Sequence, residues 1–259
     1  MGRCRVSVIM AVYNGERYVR EAVDSILNQT FTDLEFIIVD DGSTDRTDRI
    51  LNTYDDPRIV RVRNEENIGL TRCLNKGLTL ARGRYIARQD ADDVSVPERL
   101  QMQVDFLDGH PEVALVGTSK IEIDDQGNSI KFGRVSCDDA ALRRCLPRVN
   151  SFVHGSVLLR RGALKQVGGY RPIFSCTQDY DLWIRIAERY RVANLEQGLY
   201  AWRCHHGSIS LTRRAEQVGY ADLARELALE RYLKGSDRYG YPSVLPALKN
   251  EFSSHKCSR

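Results

Sequence analysis

No stretch of about 18 consecutive apolar residues occurs in the 259-residue chain, so no membrane-spanning helix is expected. Segment 1–14 runs straight into an apolar strand pattern and lacks the charged region and cleavable apolar segment of a secretory signal. CxxC pairs are missing too. The seven cysteines, at 4, 73, 137, 145, 176, 204 and 257, are odd in number and irregular in spacing. That argues against a disulfide framework and predicts reduced thiols in a cytoplasmic protein, with peripheral contact at the inner membrane face left open. Cys204, His205 and His206 offer zinc-type donors without a second ligand pair at suitable spacing. The net charge of +3 is too small to imply nucleic-acid binding. Neither an internal repeat nor a low-complexity linker appears, which favours one domain.

What is present is ordinary globular composition, 42% apolar and 28% charged. The first hundred residues alternate strand and helix signals. Short apolar runs at 6–12, 36–39, 59–62 and 85–87 fit buried parallel strands. Between them lie a helix carrying Tyr18, Ala22, Ile26 and Leu27, a second helix reaching Leu51 with Ser43 or Thr44 as its cap, and a third over 69–80 closed by Gly83. This order predicts an α/β fold, doubly wound, mostly parallel, with helices on both faces. Further on, Pro97 opens a helix to about Leu107, and strands are expected at 113–116, 120–123 and 157–159, with a hairpin turn at 125–128. Helices are expected at 138–145, 179–190 and 213–234, the last with Val218, Ala221, Ala224, Ala228 and Tyr232 on one stripe. No period is visible after Gly235.

Ligands of such sheets bind outside the carboxyl ends of the strands, where this chain places its polar clusters. Asp90-Ala91-Asp92-Asp93 follows the fourth strand. Like charges so close repel unless a cation or solvent relieves them, and carboxylates suit Mg²⁺ or Mn²⁺ shared with phosphates. The plain alternative is a solvated acidic turn. Asp40-Asp41-Gly42-Ser43 follows the second strand and reads either as a capped turn or as a nucleoside-binding carboxylate. Tyr13 offers a flat face for a base or a structural aromatic. Arg143, Arg144, Arg148, Arg160 and Arg161 cluster in sequence and are read as a solvated face in preference to an anionic-lipid contact.

Three segments carry a family resemblance: VSVIMAVYNGERYVREAVDSILNQTFTDLEFIIVDDGSTD, NIGLTRCLNKGLTLARGRYIARQDADD and TQDYDLWIRI. They resemble the family 2 glycosyltransferases of GT-A fold, over about residues 6–210. The resemblance implies an inverting, metal-dependent transfer of a sugar from a nucleotide-sugar, UDP-linked by preference, to an acceptor hydroxyl. The acceptor would be a saccharide or lipid-linked saccharide, in cell-surface polysaccharide or glycoconjugate synthesis. It also implies a GT-A domain over 1–210, with a nucleotide-sugar half to about 95 and an acceptor half from about 96, followed by a C-terminal helix and tail.

By that resemblance Tyr13 stacks on the base, Asp41 binds it, and Asp40 and Glu16 lie close by. Arg72 approaches the diphosphate or ribose, Asp90 the ribose or the metal. Asp92 ligates Mn²⁺ or Mg²⁺, with His205 of the Trp202-Arg203-Cys204-His205 segment near the diphosphate or metal. Asp179 matches the catalytic base, while Asp181 is read as capping the helix or interacting with its positive end. His154 falls where the family often has a histidine near the sugars; His110 and His206 are read as structural. The chain departs from the family pattern at Ala11, usually proline in the nucleotide-binding strand, and at Gln178, usually glutamate beside the base. Two rival readings exist: a sugar nucleotidyltransferase, which needs a Gly-rich basic loop where this chain has 11–16 Ala-Val-Tyr-Asn-Gly-Glu, and a binding module without catalysis, against which Asp92 and Asp179 speak.

Overall fold

The computed structural model describes residues 4–242. Four parallel strands form its first half: β1 (Val6–Val12), β2 (Leu34–Asp40), β3 (Ile59–Arg63) and β4 (Tyr85–Arg88), in the spatial order β3-β2-β1-β4. Strands β1, β2 and β4 alternate their side chains between two apolar layers, as a sheet covered on both faces requires. Val8, Met10, Phe36 and Ile38 face one layer, with Val19, Val23 and Ile26 of α1 (Val19–Leu27) and Leu100, Val104 and Leu107 further along the chain. Ile9, Ile37 and Val39 face the other, with Cys73 and Leu74. Each fully buried Val or Ile contributes about 1.5–3 kcal/mol.

The crossovers are α2 (Thr47–Leu51) and α3 (Leu70–Leu80). Neither Ser43 nor Thr44 caps α2. Its flanking residue is Arg46, which makes no side-chain cap bond, and Ser43 Oγ instead accepts from Asn14 N at 3.0 Å. Gly83 does not cap α3 either. It lies where the chain passes the start of β1, and a Cβ there would sit 2.5 Å from Ser7 N. Glycine is required at 83 for close approach, not for left-handed backbone.

The second half extends the same sheet through β5 (Val94–Ser95), α4 (Arg99–Gly109), β6 (Val113–Ile123), β7 (Ser129–Gly133), α5 (Asp139–Cys145), β8 (Leu158–Arg160), α6 (Arg161–Val167), α7 (Gln178–Ala187), β9 (Arg191–Arg203), α8 (Ile209–Thr212) and α9 (Arg214–Lys234). Strand β8 pairs antiparallel with β4 and β6, β9 runs parallel to β6, and β5 and β7 close the edges antiparallel. The two strands expected at 113–116 and 120–123 are one, because Gly117-Thr118-Ser119 stays in the ladder and is buried. The 125–128 turn joins β6 to β7, with Gly127 at φ +87°.

Helix α9 buries Ala224, Leu227 and Arg231; of the expected stripe, Ala224 is buried and Ala221 and Ala228 pack against the core, while Val218 is 57% exposed. Arg231 is drawn in by ion pairs to Glu188 at 2.6 Å and Asp237 at 2.8 Å. The arginines of 143–161 are not one solvated face. Arg160 donates to the carbonyls of Val113 and His110, Arg161 to Ala81, and Arg143 to Ala187 and Tyr190. Among the described residues six cysteines are free, and no helix is long and apolar enough to cross a membrane. Cys257 lies outside the described residues.

Candidate active site

A cleft of about 850 Å³ opens beyond the carboxyl ends of β1, β2 and β4. Sheet order reverses between β1 and β4, so the cleft lies at the switch point where doubly wound sheets take their ligands. Of the expected residues, Ala11, Tyr13, Asp41, Arg72, Asp90, Asp92 and His205 line it. Glu16 and Asp40 are not among its lining residues. The Glu16 carboxylate accepts from Arg46 N and Nε at 2.9 and 3.1 Å. Asp40 is buried, with Oδ1 accepting from Ser43 N at 3.0 Å.

Two loops present the base-binding candidates. Asn14, at φ +52°, takes the left-handed conformation that asparagine tolerates, and its Oδ1 accepts from Thr44 N at 2.9 Å. Gly15 N donates to Thr47 Oγ1 at 2.8 Å. The loop is thereby tied down while Tyr13 stays 49% exposed. Gly42, at φ +72°, brings the next turn so near segment 66–67 that a Cβ would lie 2.8 Å from the Glu66 carbonyl carbon. This closeness lets Asp41 accept from Asn64 Nδ2 at 2.8 Å, Ile68 N at 2.9 Å and Gly69 N at 2.9 Å. Burial opposes ionisation of Asp41, but these donors outweigh it and hold the carboxyl below its usual range. Beneath it the Cys73 thiol is pushed up to about 12, by burial and then by Asp41, so it stays protonated.

Three cations border the cleft: Arg17, Arg72 and Arg213. Arg72 lies in the first turn of α3, whose N-terminal end also faces the cleft and favours anions. Arg213 donates to Ser175 Oγ at 2.9 Å and pairs with Glu216. Its helix was expected at 213–234, but its place beside the cleft was not legible beforehand, because nothing in the local pattern brings residue 213 to the carboxyl ends of β1 and β4.

The acidic run divides. Asp90 pairs with Arg88 at 2.5 Å, and its backbone N–H donates to Tyr200 Oη at 3.1 Å. Asp93 is buried and accepts from Arg203 N at 2.7 Å; burial first, then Asp92 and Asp90, raises its pKa well above normal. Asp92 Oδ2 meets His205 Nε2 at 2.9 Å. Arg203, fully buried, holds the turn through the Asp92 carbonyl at 2.8 Å and Glu21 at 2.6 Å. No group of three or more His, Cys, Asp or Glu side chains assembles a metal cage among the described residues. Asp92 and His205 are the two donor side chains at this end of the cleft placed to hold a divalent ion.

Asp179 stands apart from this cleft, in the first turn of α7. The preceding Thr177 sits at φ +62°, an uncommon conformation for a β-branched residue that costs about 1–3 kcal/mol. One Asp179 oxygen accepts from Asn150 Nδ2 at 2.7 Å, and the other receives no hydrogen bond from a described residue. Asp181 does not cap the helix as expected. It is fully buried, 2.8 Å from Arg185 and 3.5 Å from Arg171. His154 accepts or donates at Tyr170 Oη, 3.1 Å away, and burial, then Arg88, lowers its pKa. His110 stacks on Phe106, and His206 is exposed.

Among solved structures the chain resembles S. aureus TarS 1–349 in complex with UDP-GlcNAc, with a TM-score of 0.70 and 19% identity, covering 88% of this chain and 71% of that one. It also resembles the mannosyltransferase PcManGT from Pyrobaculum calidifontis in complex with GDP-Man and Mn²⁺, with a TM-score of 0.66 and 23% identity over 85% of this chain and 64% of that one. These likenesses establish a GT-A fold. The chain belongs to the family described as Glycosyl transferase family 2, which matches residues 7–168. A Bacillus subtilis protein named as a glycosyltransferase, EpsE, is 38% identical over 77% of this chain and 73% of its own length. The glycosyltransferase MJ1057 of Methanocaldococcus jannaschii is 34% identical over 85% of this chain and 78% of its own.

Proposed function

We propose that the chain transfers a sugar from a nucleotide-sugar, UDP-linked by preference, to the hydroxyl of a saccharide or lipid-linked saccharide with inversion at the anomeric carbon, using Mn²⁺ or Mg²⁺. The observation that carries this reading is the separation of parts. A nucleotide-sized cleft lies at the β1/β4 switch point, and a carboxylate with one unengaged oxygen, Asp179, stands on another element. Single displacement needs that arrangement: a held leaving group on one side and a proton acceptor on the other.

Tyr13 stacks on the base, and Asp41 receives a base N–H on its remaining lone pairs. Arg72, Arg213 and the N-terminal end of α3 hold the diphosphate. A divalent ion bound through Asp92 and His205, with Asp90 beside them, would supply neutralisation of the charge developing on the leaving diphosphate. Asp179 removes the proton of the incoming hydroxyl. In this reading the nucleotide-sugar half runs to about residue 95 and the acceptor half to about 210. The TarS complex with UDP-GlcNAc and the PcManGT complex with GDP-Man and Mn²⁺ support the donor class and the metal by likeness of fold.

Calorimetry with UDP and Mn²⁺, followed by a nucleotide-sugar hydrolysis screen, tests the reading. Metal-dependent hydrolysis of one donor is expected. Preference for a nucleoside triphosphate, or binding without turnover of any donor, overturns it.

A further inference from the structure

A second cleft, of about 450 Å³, is lined in part by His154 of the 3-10 turn His154–Ser156. Segments 134–136 and 149–154 form its walls, and Lys120 and Trp202 complete it. One buried amide pins both walls: Asn194 Nδ2 donates to the Ser136 carbonyl at 2.8 Å and to the Ser151 carbonyl at 3.2 Å. Val135 N adds a bond to Ser119 Oγ at 3.3 Å. The cleft is therefore built before any ligand arrives. It adjoins the reaction centre at two points. Asn150 lines it and donates to Asp179. His154 lines it too, and the following Gly155 packs so tightly that a Cβ would lie 2.8 Å from Asp90 Oδ2.

Its charge is one-sided. Lys120 and Arg134 line the cleft, and no carboxylate does. Lys120 Nζ is fixed 3.8 Å from the Trp202 ring centroid and 3.0 Å from Glu122, so part of its charge is shared. Arg134 is exposed and makes no ion pair with a described residue. Glu196 offsets part of its field, since both act on the Cys137 thiol. His154 adds no charge near neutral pH, because burial and Arg88 favour its neutral form.

Resting on the glycosyltransferase reading, we propose that this cleft is the acceptor subsite and that the acceptor is an anionic saccharide, its phosphate or carboxylate held between Arg134 and Lys120. Lys120 already has Glu122 as its counter-charge, but a neutral sugar would leave Arg134 without an ion-pair partner among the described residues beside the entering hydroxyl. The shared chemistry is a sugar-borne anion.

Trp202 borders the cleft while Trp183 is buried in the core, so Trp202 fluorescence reports occupancy, with Trp202→Phe assigning the signal. UDP-loaded protein is titrated with glucose-6-phosphate, glucuronate and methyl glucoside. At least one anionic sugar should bind about tenfold or more tighter than methyl glucoside. Whichever anion binds tighter identifies phosphate or carboxylate as the group recognised. Arg134→Glu should weaken the anionic sugar by a similar factor. Equal binding of methyl glucoside, no binding of either anion, or unchanged affinity in Arg134→Glu overturns the proposal. Calorimetry with UDP on the same samples reads the donor side separately. UDP binding without anion preference overturns the acceptor assignment alone, and absent UDP binding overturns the glycosyltransferase reading beneath it.

Discussion

His205 Nε2 lies 2.9 Å from Asp92 Oδ2 across 113 residues of sequence. The contact is enforced from below, since Arg203 bonds the Asp92 carbonyl and its backbone N–H bonds Asp93. If the pair holds the metal, Asp92→Asn should abolish metal-dependent turnover without unfolding the protein, and His205→Ala should raise the Mn²⁺ concentration needed by about tenfold or more. Activity against Mn²⁺ concentration at saturating donor is the measurement. Unaltered metal dependence in both variants refutes the pairing.

Asp41 serves two ends, and its loss should show in both. Its oxygens organise the 64–69 segment as well as facing the cleft. Asp41→Ala should weaken UDP binding by about 1.5–3 kcal/mol and also lower the melting temperature. An unchanged UDP dissociation constant would place the base elsewhere.

The elements that carry this cleft were legible because they are local. Strands β1 to β4 are short apolar runs, and their ends were set within two residues by the Asn-Gly, Asp-Gly and Asp-Asp punctuation. Strand β9 was not foreseen. Its 13 residues include Asn194, Glu196, Gln197 and Gly198, and its register with β6 shifts near Ser119, so neither a two-residue period nor an apolar run marks it. Buried arginines were equally hidden. Arg203 is buried on Glu21, 182 residues away, and Arg231 on Glu188, 43 residues away; only Asp237, six residues beyond Arg231, lies near its partner in sequence. The carboxylates of the site could be nominated from motifs, but Asn150 beside Asp179 and Tyr200 beside Asp90 could not.

His154 supplies a pH test. Its pKa is lowered in the folded state by burial and then Arg88, with Asp179 and Asp90 opposing. Below the unfolded value of about 6.5 the unfolded chain binds a proton that the folded chain resists, so stability falls as pH drops. The melting temperature should therefore decline between about pH 7 and pH 5, and His154→Gln should decline less over that window. Parallel declines in the two proteins would show that His154 does not contribute.

Asp179 and Asp181 share the first turn of α7 but meet opposite environments. Asp181 is sealed among Arg185 and Arg171, and Arg171 continues to Asp237 at 2.6 Å, which also pairs with Arg231 of α9. Removing its charge leaves the buried Arg185 guanidinium without its carboxylate and Arg171 with Asp237 alone, a change that costs about 3 kcal/mol or more. Asp179 is only part-buried, rests on one amide and keeps an oxygen unengaged. Asp179→Asn therefore leaves packing intact but removes the proton acceptor. Because a general base acts mainly in the transition state, kcat should fall by orders of magnitude while UDP binding and melting temperature stay near those of the parent. Asp181→Asn should instead lower the melting temperature by several degrees and lose activity only in proportion to the unfolded fraction. Both variants are to be measured for sugar transfer, UDP binding and thermal unfolding. A stable, inactive Asp181→Asn beside a near-normal Asp179→Asn would reverse the two roles.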